Sequence, residues 1–124
     1  GGEASTTPKP QKKNAEDLVL NEVIEVAPDG ISLKELFSNK DKYANKVVKV
    51  RGKVMKFSSK IMGKNWIHLQ DGSGGSEVLD LTITTTEEAN IGDIIIMEGT
   101  ISLDKDFGAG YFYHIIMENA QLTE

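Results

Sequence analysis

Residues 46–74, KVVKVRGKVMKFSSKIMGKNWIHLQDGSG, decide the fold of this chain. Valines alternate with basic residues over Val48–Val54, and WIHLQ, residues 66–70, alternates again after a turn that contains Gly63. Successive side chains of a β-strand point to opposite faces, so a period of two predicts strands. The stretch therefore predicts the first two strands of a sheet, joined as a hairpin.

The alternating period continues downstream. Turns that contain glycine or polar residues separate five runs, at 47–57, 65–71, 78–85, 94–103 and 111–122. Gly52 lies inside the long first run, where a missing side chain permits the sharp coiling of a strand that serves both halves of a barrel. We therefore predict an all-β domain built as a small five-stranded barrel.

One short helix is predicted before the barrel. NEVIEV predicts a short strand at Glu22–Val26, which a Pro-Asp-Gly turn ends. SLKELF then predicts about two helical turns, with Ser32 as N-cap and Glu35 at the capping-box position.

Three segments resemble an OB-fold: VKVRGKV as its first strand, WIHLQDGSG as its second strand and turn, and GDIIIMEGTI as its fourth strand. The resemblance covers about residues 46–123. It is to OB domains of the nucleic-acid-binding, anticodon-binding type and to small exported bacterial OB-fold proteins of unassigned function. It implies a Greek-key barrel whose outer face, between the loops that join strands 1–2 and 4–5, binds oligonucleotides or oligosaccharides.

The chain divides into three parts. Residues 1–20 are expected to form a flexible tether with a tag remnant, residues 21–45 a short strand and helix packed on the barrel, and residues 46–124 the barrel. GGEASTTPKPQKKN has no initiator Met and is typical of a spacer after a signal peptide or a lipidated Cys, which favours a periplasmic or lipid-anchored bacterial envelope protein over a cytoplasmic one. No run reaches the roughly 18 apolar residues of a membrane span.

Positive charge is concentrated in one part of an acidic chain. The formal net charge is −5, yet residues 46–70 hold seven Lys or Arg and no Asp or Glu, whereas residues 71–124 hold one and eleven. A local field can therefore differ in sign from the net charge. Asp71, Asp80, Asp104 and Asp106 are expected near the same face, where they would partly cancel the attraction of a polyanion.

The alternation assigns side chains to the two faces. Val48, Val50, Val54, Ile67, Leu69, Leu79, Leu81, Ile83 and Ile95 are predicted to face inward, and Lys49, Arg51, Lys53, Trp66, His68, Gln70, Asp80, Thr82 and Thr84 outward. Trp66 is expected to be exposed near Arg51 and to stack on a base or sugar ring; the alternative is that it covers the barrel end or packs under the tether. His68 is either a ligand contact or a polar surface residue.

The two loops beside this face complete the predicted site. FSSKIMGKN contributes Lys60, Met62 and Lys64, and DKDFGAG contributes Lys105 and Phe107. Apolar residues beside glycines and lysines are typical of an adaptable ligand clamp, and equally of any long hairpin loop. The predicted ligand-binding residues are Lys49, Arg51, Lys53, Lys60, Lys64, Trp66, His68, Lys105 and Phe107.

The sequence does not favour catalysis. The chain has no Cys, only two histidines, His68 and His114, and a single Arg, Arg51. No catalytic residues, metal ligands or cofactor are therefore expected. Two functions are open: a binding module for single-stranded nucleic acid or oligosaccharide, and an exported or lipid-anchored module that binds another envelope protein.

Overall fold

The structure, a computed structural model, describes residues 19–123, so most of the predicted tether lies outside the described residues. The elements are α1 Leu33–Ser38, α2 Lys40–Tyr43, β1 Val47–Ile61, β2 Lys64–Gln70, β3 Leu81–Thr85, β4 Ile94–Asp106 and β5 Phe112–Thr123. The all-β prediction is confirmed. α2 was not predicted, because four residues with no buried side chain leave no apolar period in the sequence.

The five strands close into one barrel. Their order around the ring is β1-β2-β3-β5-β4, and β4 pairs with β1 to complete it. All neighbouring pairs are antiparallel except β3 and β5, which are parallel. Because the ring is closed, each strand is hydrogen-bonded to a neighbour on both sides, and the sheet has no edge strand.

β1 is shared between the two halves of the barrel. Residues 47–53 pair with β4, and residues 53–61 pair with β2. Gly52 lies at this change of partner, where a Cβ atom would come within 2.7 Å of Leu69 Cγ and 2.8 Å of Gln70 O. Only glycine permits so close an approach of the two strands.

The barrel interior is the hydrophobic core. The inward residues of β1, β2 and β3 are buried as predicted, and Leu33 and Leu36 of α1 belong to the same cluster. Ile95, which the alternation also places inward, is only partly buried, while Met97 is fully buried. The predicted inward residues that prove buried are Val48, Val50, Val54, Ile67, Leu69, Leu81 and Ile83, with Leu79 partly buried.

α1 begins against the residues that follow β2. Ser32 is the N-cap, as predicted, and its Oγ accepts a hydrogen bond from Glu35 N at 3.0 Å. The buried Asp71 carboxylate accepts from Leu33 N at 2.9 Å, and Ser73 Oγ accepts from Lys34 N at 2.9 Å. All three N–H groups of the first turn are therefore satisfied, two of them by the barrel.

The predicted strand at Glu22–Val26 is wrong. This segment has no strand assignment, and its Ile24 N donates one backbone hydrogen bond to Asp71 O at 2.8 Å. Ile24 and Ala27 are buried. The chain therefore docks on the barrel through these two side chains, three residues apart, whereas Val23 and Val26 are exposed. The apolar residues that predicted a strand do not form a ladder.

The strand bounds differ from the predictions at several ends. β3 begins at Leu81 rather than Val78, because β2 supplies partners only as far as Leu81 and Val78 is exposed. β1 and β4 run past their predicted ends, since their polar tips still pair in hairpins. Within residues 19–123, no helix is long and apolar enough to cross a membrane.

Candidate ligand-binding face

Cross-strand pairs define one outer face of the barrel. Lys56 pairs with His68 and His68 with Thr82, and in the next row Ser58 pairs with Trp66 and Trp66 with Thr84. Directly paired residues project to the same side of a sheet. We call this surface the β1–β3 face; its residues are Lys53, Lys56, Ser58, Trp66, His68, Gln70, Asp80, Thr82 and Thr84.

Trp66 lies on this face but is not exposed. Only 6% of its surface is accessible. Its Nε1 donates to Ile61 O at 2.8 Å, and the Phe107 ring meets it edge-on with centroids 5.3 Å apart. The predicted exposure of Trp66 is therefore wrong, because the β4–β5 connection covers the indole.

Three aromatic rings cover Trp66. Besides Phe107, the rings of Tyr111 and Tyr113 lie 6.4 and 5.8 Å from it. All three are partly exposed, so these rings form the solvent-facing surface over the indole. The aromatic cluster therefore brings together the two loops that were predicted to flank the face. We define it as Trp66, Phe107, Tyr111 and Tyr113.

The environment of the aromatic cluster favours the neutral form of the Tyr113 hydroxyl. Burial raises the pKa of the Tyr113 hydroxyl, and the neighbouring Tyr111 adds to the rise. Lys105 Nζ lies 5.5 Å from the Phe107 ring centroid and 3.2 Å from Glu118 Oε1. Lys105, a predicted ligand contact, is thus held beside the cluster by an ion pair and a cation–π contact.

The centre of the β1–β3 face is a hydrogen-bonded polar group. His68 Nδ1 lies 2.7 Å from Asp80 Oδ1, and Gln70 Nε2 donates to Asp80 Oδ2 at 2.8 Å. These side chains are partly exposed. The contact with Asp80 uses Nδ1 of His68, so Nε2 is the ring nitrogen that does not contact Asp80. Asp80 also places a carboxylate in the middle of the face.

Arg51 and Lys53 meet the chain's own N-terminal segment. Arg51 Nη1 donates to Glu25 O at 3.1 Å, and Lys53 Nζ forms a salt bridge with Glu22 Oε2 at 2.9 Å. The strand partner of Trp66 is Ser58, and Arg51 lies seven residues before Ser58 on β1. That corresponds to about 20 Å along a strand. The prediction that Trp66 is exposed close to Arg51 is therefore wrong.

Lys49 lies still farther from the aromatic cluster. It pairs with Glu98 of β4 rather than with β2, and its carbonyl accepts from Ile31 N at 3.0 Å. Sequence alternation placed Lys49 on the outer side of β1 correctly. The alternation could not show that this end of β1 pairs with β4 instead of β2.

Three lysines project from the β1–β2 hairpin. Lys56, Lys60 and Lys64 are exposed, and none forms an ion pair with another residue between 19 and 123. Lys60 and Lys64 were predicted site residues, whereas Lys56 was not. Together they make the hairpin an accessible part of the basic stretch, beside the aromatic cluster.

A polar pocket of about 580 Å³ adjoins the end of β3. Lys64 and Thr84 line it, together with residues 85–87 and 119–121. Thr84 Oγ1 is buried and has no hydrogen-bond partner among the described residues. The pocket extends the face toward the C-terminal half of β5.

Aromatic rings, lysines and hydrogen-bonding side chains thus share one face of the barrel. In the described part of the chain, no three His, Asp or Glu side chains come together as a possible metal site. Tyr111, Tyr113 and Lys56 were missed by sequence reasoning, although the aromatic run YFYH, residues 111–114, was a visible signal.

Comparisons of this chain with protein-family models, with curated proteins and with solved structures found no match.

Proposed function

We propose that the protein is a non-catalytic binding module of the OB-fold type, which binds an extended ligand, single-stranded nucleic acid or oligosaccharide, across the β1–β3 face. The neighbouring strand order β4-β1-β2-β3 supports the fold assignment, since it is the order of a Greek key. An OB-fold uses its strand 2–3 face and the loops 1–2 and 4–5 for such ligands.

One observation carries the proposal: an aromatic cluster with partly exposed rings adjoins three exposed lysines on one face. Aromatic rings stack on bases at about 1–3 kcal/mol each, and lysines neutralise phosphates or uronates. Trp66 serves as a positioning residue, because it holds Phe107 and Tyr111 at the surface. We therefore assign to Phe107 and Tyr111 the stacking on bases or sugar rings that the sequence predicted for Trp66.

Trp66 supplies the readout for a test. It is the only Trp of the chain, so its fluorescence reports on the aromatic cluster. The protein is titrated at low salt with a dodecamer of thymidylate and with an oligogalacturonate. Binding is expected to weaken as salt rises, because counterions are released.

Charge-removing variants test the face. Replacing Lys56, Lys60 and Lys64 together by Ala should reduce the salt slope for the single strand by about 2, and the triple Arg variant should retain it. Lys34→Ala is the matched control, since Lys34 is exposed on α1 away from the hairpin. Absence of binding, or binding indifferent to the three lysines, would contradict the proposal and favour the envelope interaction module.

A further inference from the structure

A groove lies beside the β1–β3 face, between β3, β5 and the helical segment. Its volume is about 490 Å³. Asp80, which immediately precedes β3, and Thr82 of β3 belong both to the groove and to the β1–β3 face, so the two surfaces are continuous. We call it the Phe112 groove; its lining includes Phe37, Lys40, Asp80, Thr82, Phe112 and His114.

One wall of the groove is an exposed aromatic ring. Phe112 is 47% exposed although it is fully apolar. The His114 ring meets it edge-on, with centroids 5.0 Å apart and planes at 89°. The contact restricts the ring's orientation, and Phe37 adds a second, partly buried apolar surface. The groove therefore offers a pre-oriented flat platform.

The other walls offer hydrogen-bonding groups. Each Asp80 oxygen already accepts or shares one bond, with His68 and with Gln70. An ionised carboxylate has about four acceptor positions, so Asp80 retains the capacity to accept from ligand hydroxyls. Thr82, which is almost fully buried, and the exposed Lys40 also line the groove, and the Lys40 ammonium adds a donor there.

The charges around the groove favour an uncharged ligand. Lys40 lies 3.9 Å from Asp41, and His114 Nδ1 lies 3.2 Å from Asp104. Asp80 adds a negative charge inside the groove. A phosphodiester has no donors for these carboxylates and would be repelled by them, whereas a sugar ring has donors around its edge and an apolar face for Phe112.

We infer that the Phe112 groove binds an uncharged sugar unit of an oligosaccharide. This inference rests on the proposed function and narrows its ligand class. The ring of the sugar stacks on Phe112, its hydroxyls donate to Asp80, and the Lys40 ammonium donates to its oxygens. The remaining units of the oligosaccharide continue across the β1–β3 face toward the aromatic cluster.

The test uses uniformly ¹⁵N-labelled protein and four probes: cellotetraose, maltotetraose, the tetramer of N-acetylglucosamine, and thymidylate dodecamer. At least one tetrasaccharide should shift the backbone amides of Thr82, Phe112 and His114. Phe112→Ala should weaken that binding about tenfold, and Phe112→Tyr should change it less than about twofold. Ile91→Ala is the control, because it removes an exposed apolar side chain outside the groove.

Salt separates the ligand classes further. Affinity for the neutral sugar should change less than about twofold between about 20 and 300 mM NaCl, since no counterions are released. Occupation of the groove by the nucleotide, or sugar binding that Phe112→Ala leaves unchanged, would overturn the inference.

The two proposals fail in different ways. Binding that quenches Trp66 and depends on Lys60, with the groove amides unshifted, would overturn the sugar site and leave the proposed function standing. If none of the four probes binds anywhere on the protein, both are overturned.

Discussion

Replacing Asp71 by Ala should destabilise the protein more than any other single change at a polar residue in the described part of the chain. Its carboxylate is almost fully buried. It accepts hydrogen bonds from Leu33 N at 2.9 Å, Ser73 N at 3.0 Å and Ser73 Oγ at 2.7 Å. It thus joins the start of α1 to the end of β2.

The expected magnitude follows from these three bonds. Leu33 is fully buried, so its N–H would lose its only partner in a dry environment, which costs about 1–3 kcal/mol. Loss of a negative charge at a helix start removes about another 0.3–1 kcal/mol. Relief of the carboxylate's own desolvation offsets part of this. We expect a net loss of about 1–3 kcal/mol, or a fall in Tm of roughly 5–20 °C for a domain of this size.

Urea and thermal unfolding, followed by both Trp66 fluorescence and far-UV circular dichroism, measure the effect. Coincidence of the two signals establishes two-state unfolding. Asp71→Asn retains one acceptor and should lose about half as much. Asp41→Ala is the control, because the Asp41 side chain is 90% exposed, and it should stay within about 0.5 kcal/mol of the wild type. If Asp71→Ala also stays within that limit, the junction between helix and barrel does not stabilise the fold.

Two further predictions concern stability. Leu69→Ala should cost about 2–5 kcal/mol in urea unfolding, because Leu69 is fully buried in the barrel; a loss below about 0.5 kcal/mol would mean that the register is inverted. The hydrogen bond from the Tyr43 hydroxyl, at 2.6 Å, lowers the pKa of Glu35. Because the folded state favours the carboxylate, its contribution is present above the ordinary pKa of Glu and lost as pH falls through the lowered value. The stability difference between wild type and Tyr43→Phe should therefore shrink from about pH 6 to about pH 3, and a difference independent of pH would contradict this.

The sequence predicted what depends on local periodicity. Alternation over β1 and β2 identified the buried side of the barrel, since one face of each strand meets a continuous core. Ser32 was identifiable as an N-cap because capping involves residues three apart. Asp71 was not identifiable as a helix cap, because it lies 38 residues from Leu33 and only the closed fold brings them together.

The candidate site was less predictable for the same reason. Alternation placed Trp66 on the outer side of β2, but its exposure depends on Phe107, far along the chain. Likewise, Lys53 points outward as predicted, but Glu22, 31 residues upstream, neutralises it. Local pattern assigns a side chain to a face. What else covers that face is decided by long-range contacts.

The position of β5 in the ring has a consequence for how the protein is made. β5 is hydrogen-bonded to β3 on one side and to β4 on the other, so the ring cannot close without it, although it is the last of the five described strands in sequence order. Until residues 112–123 have left the ribosome, β3 and β4 have free edges and Leu81 and Ile101 lack part of their cover. Non-local pairing of this kind slows folding and leaves the nascent chain open to aggregation. The protein should therefore depend on chaperones most strongly in the interval before residues 112–123 emerge.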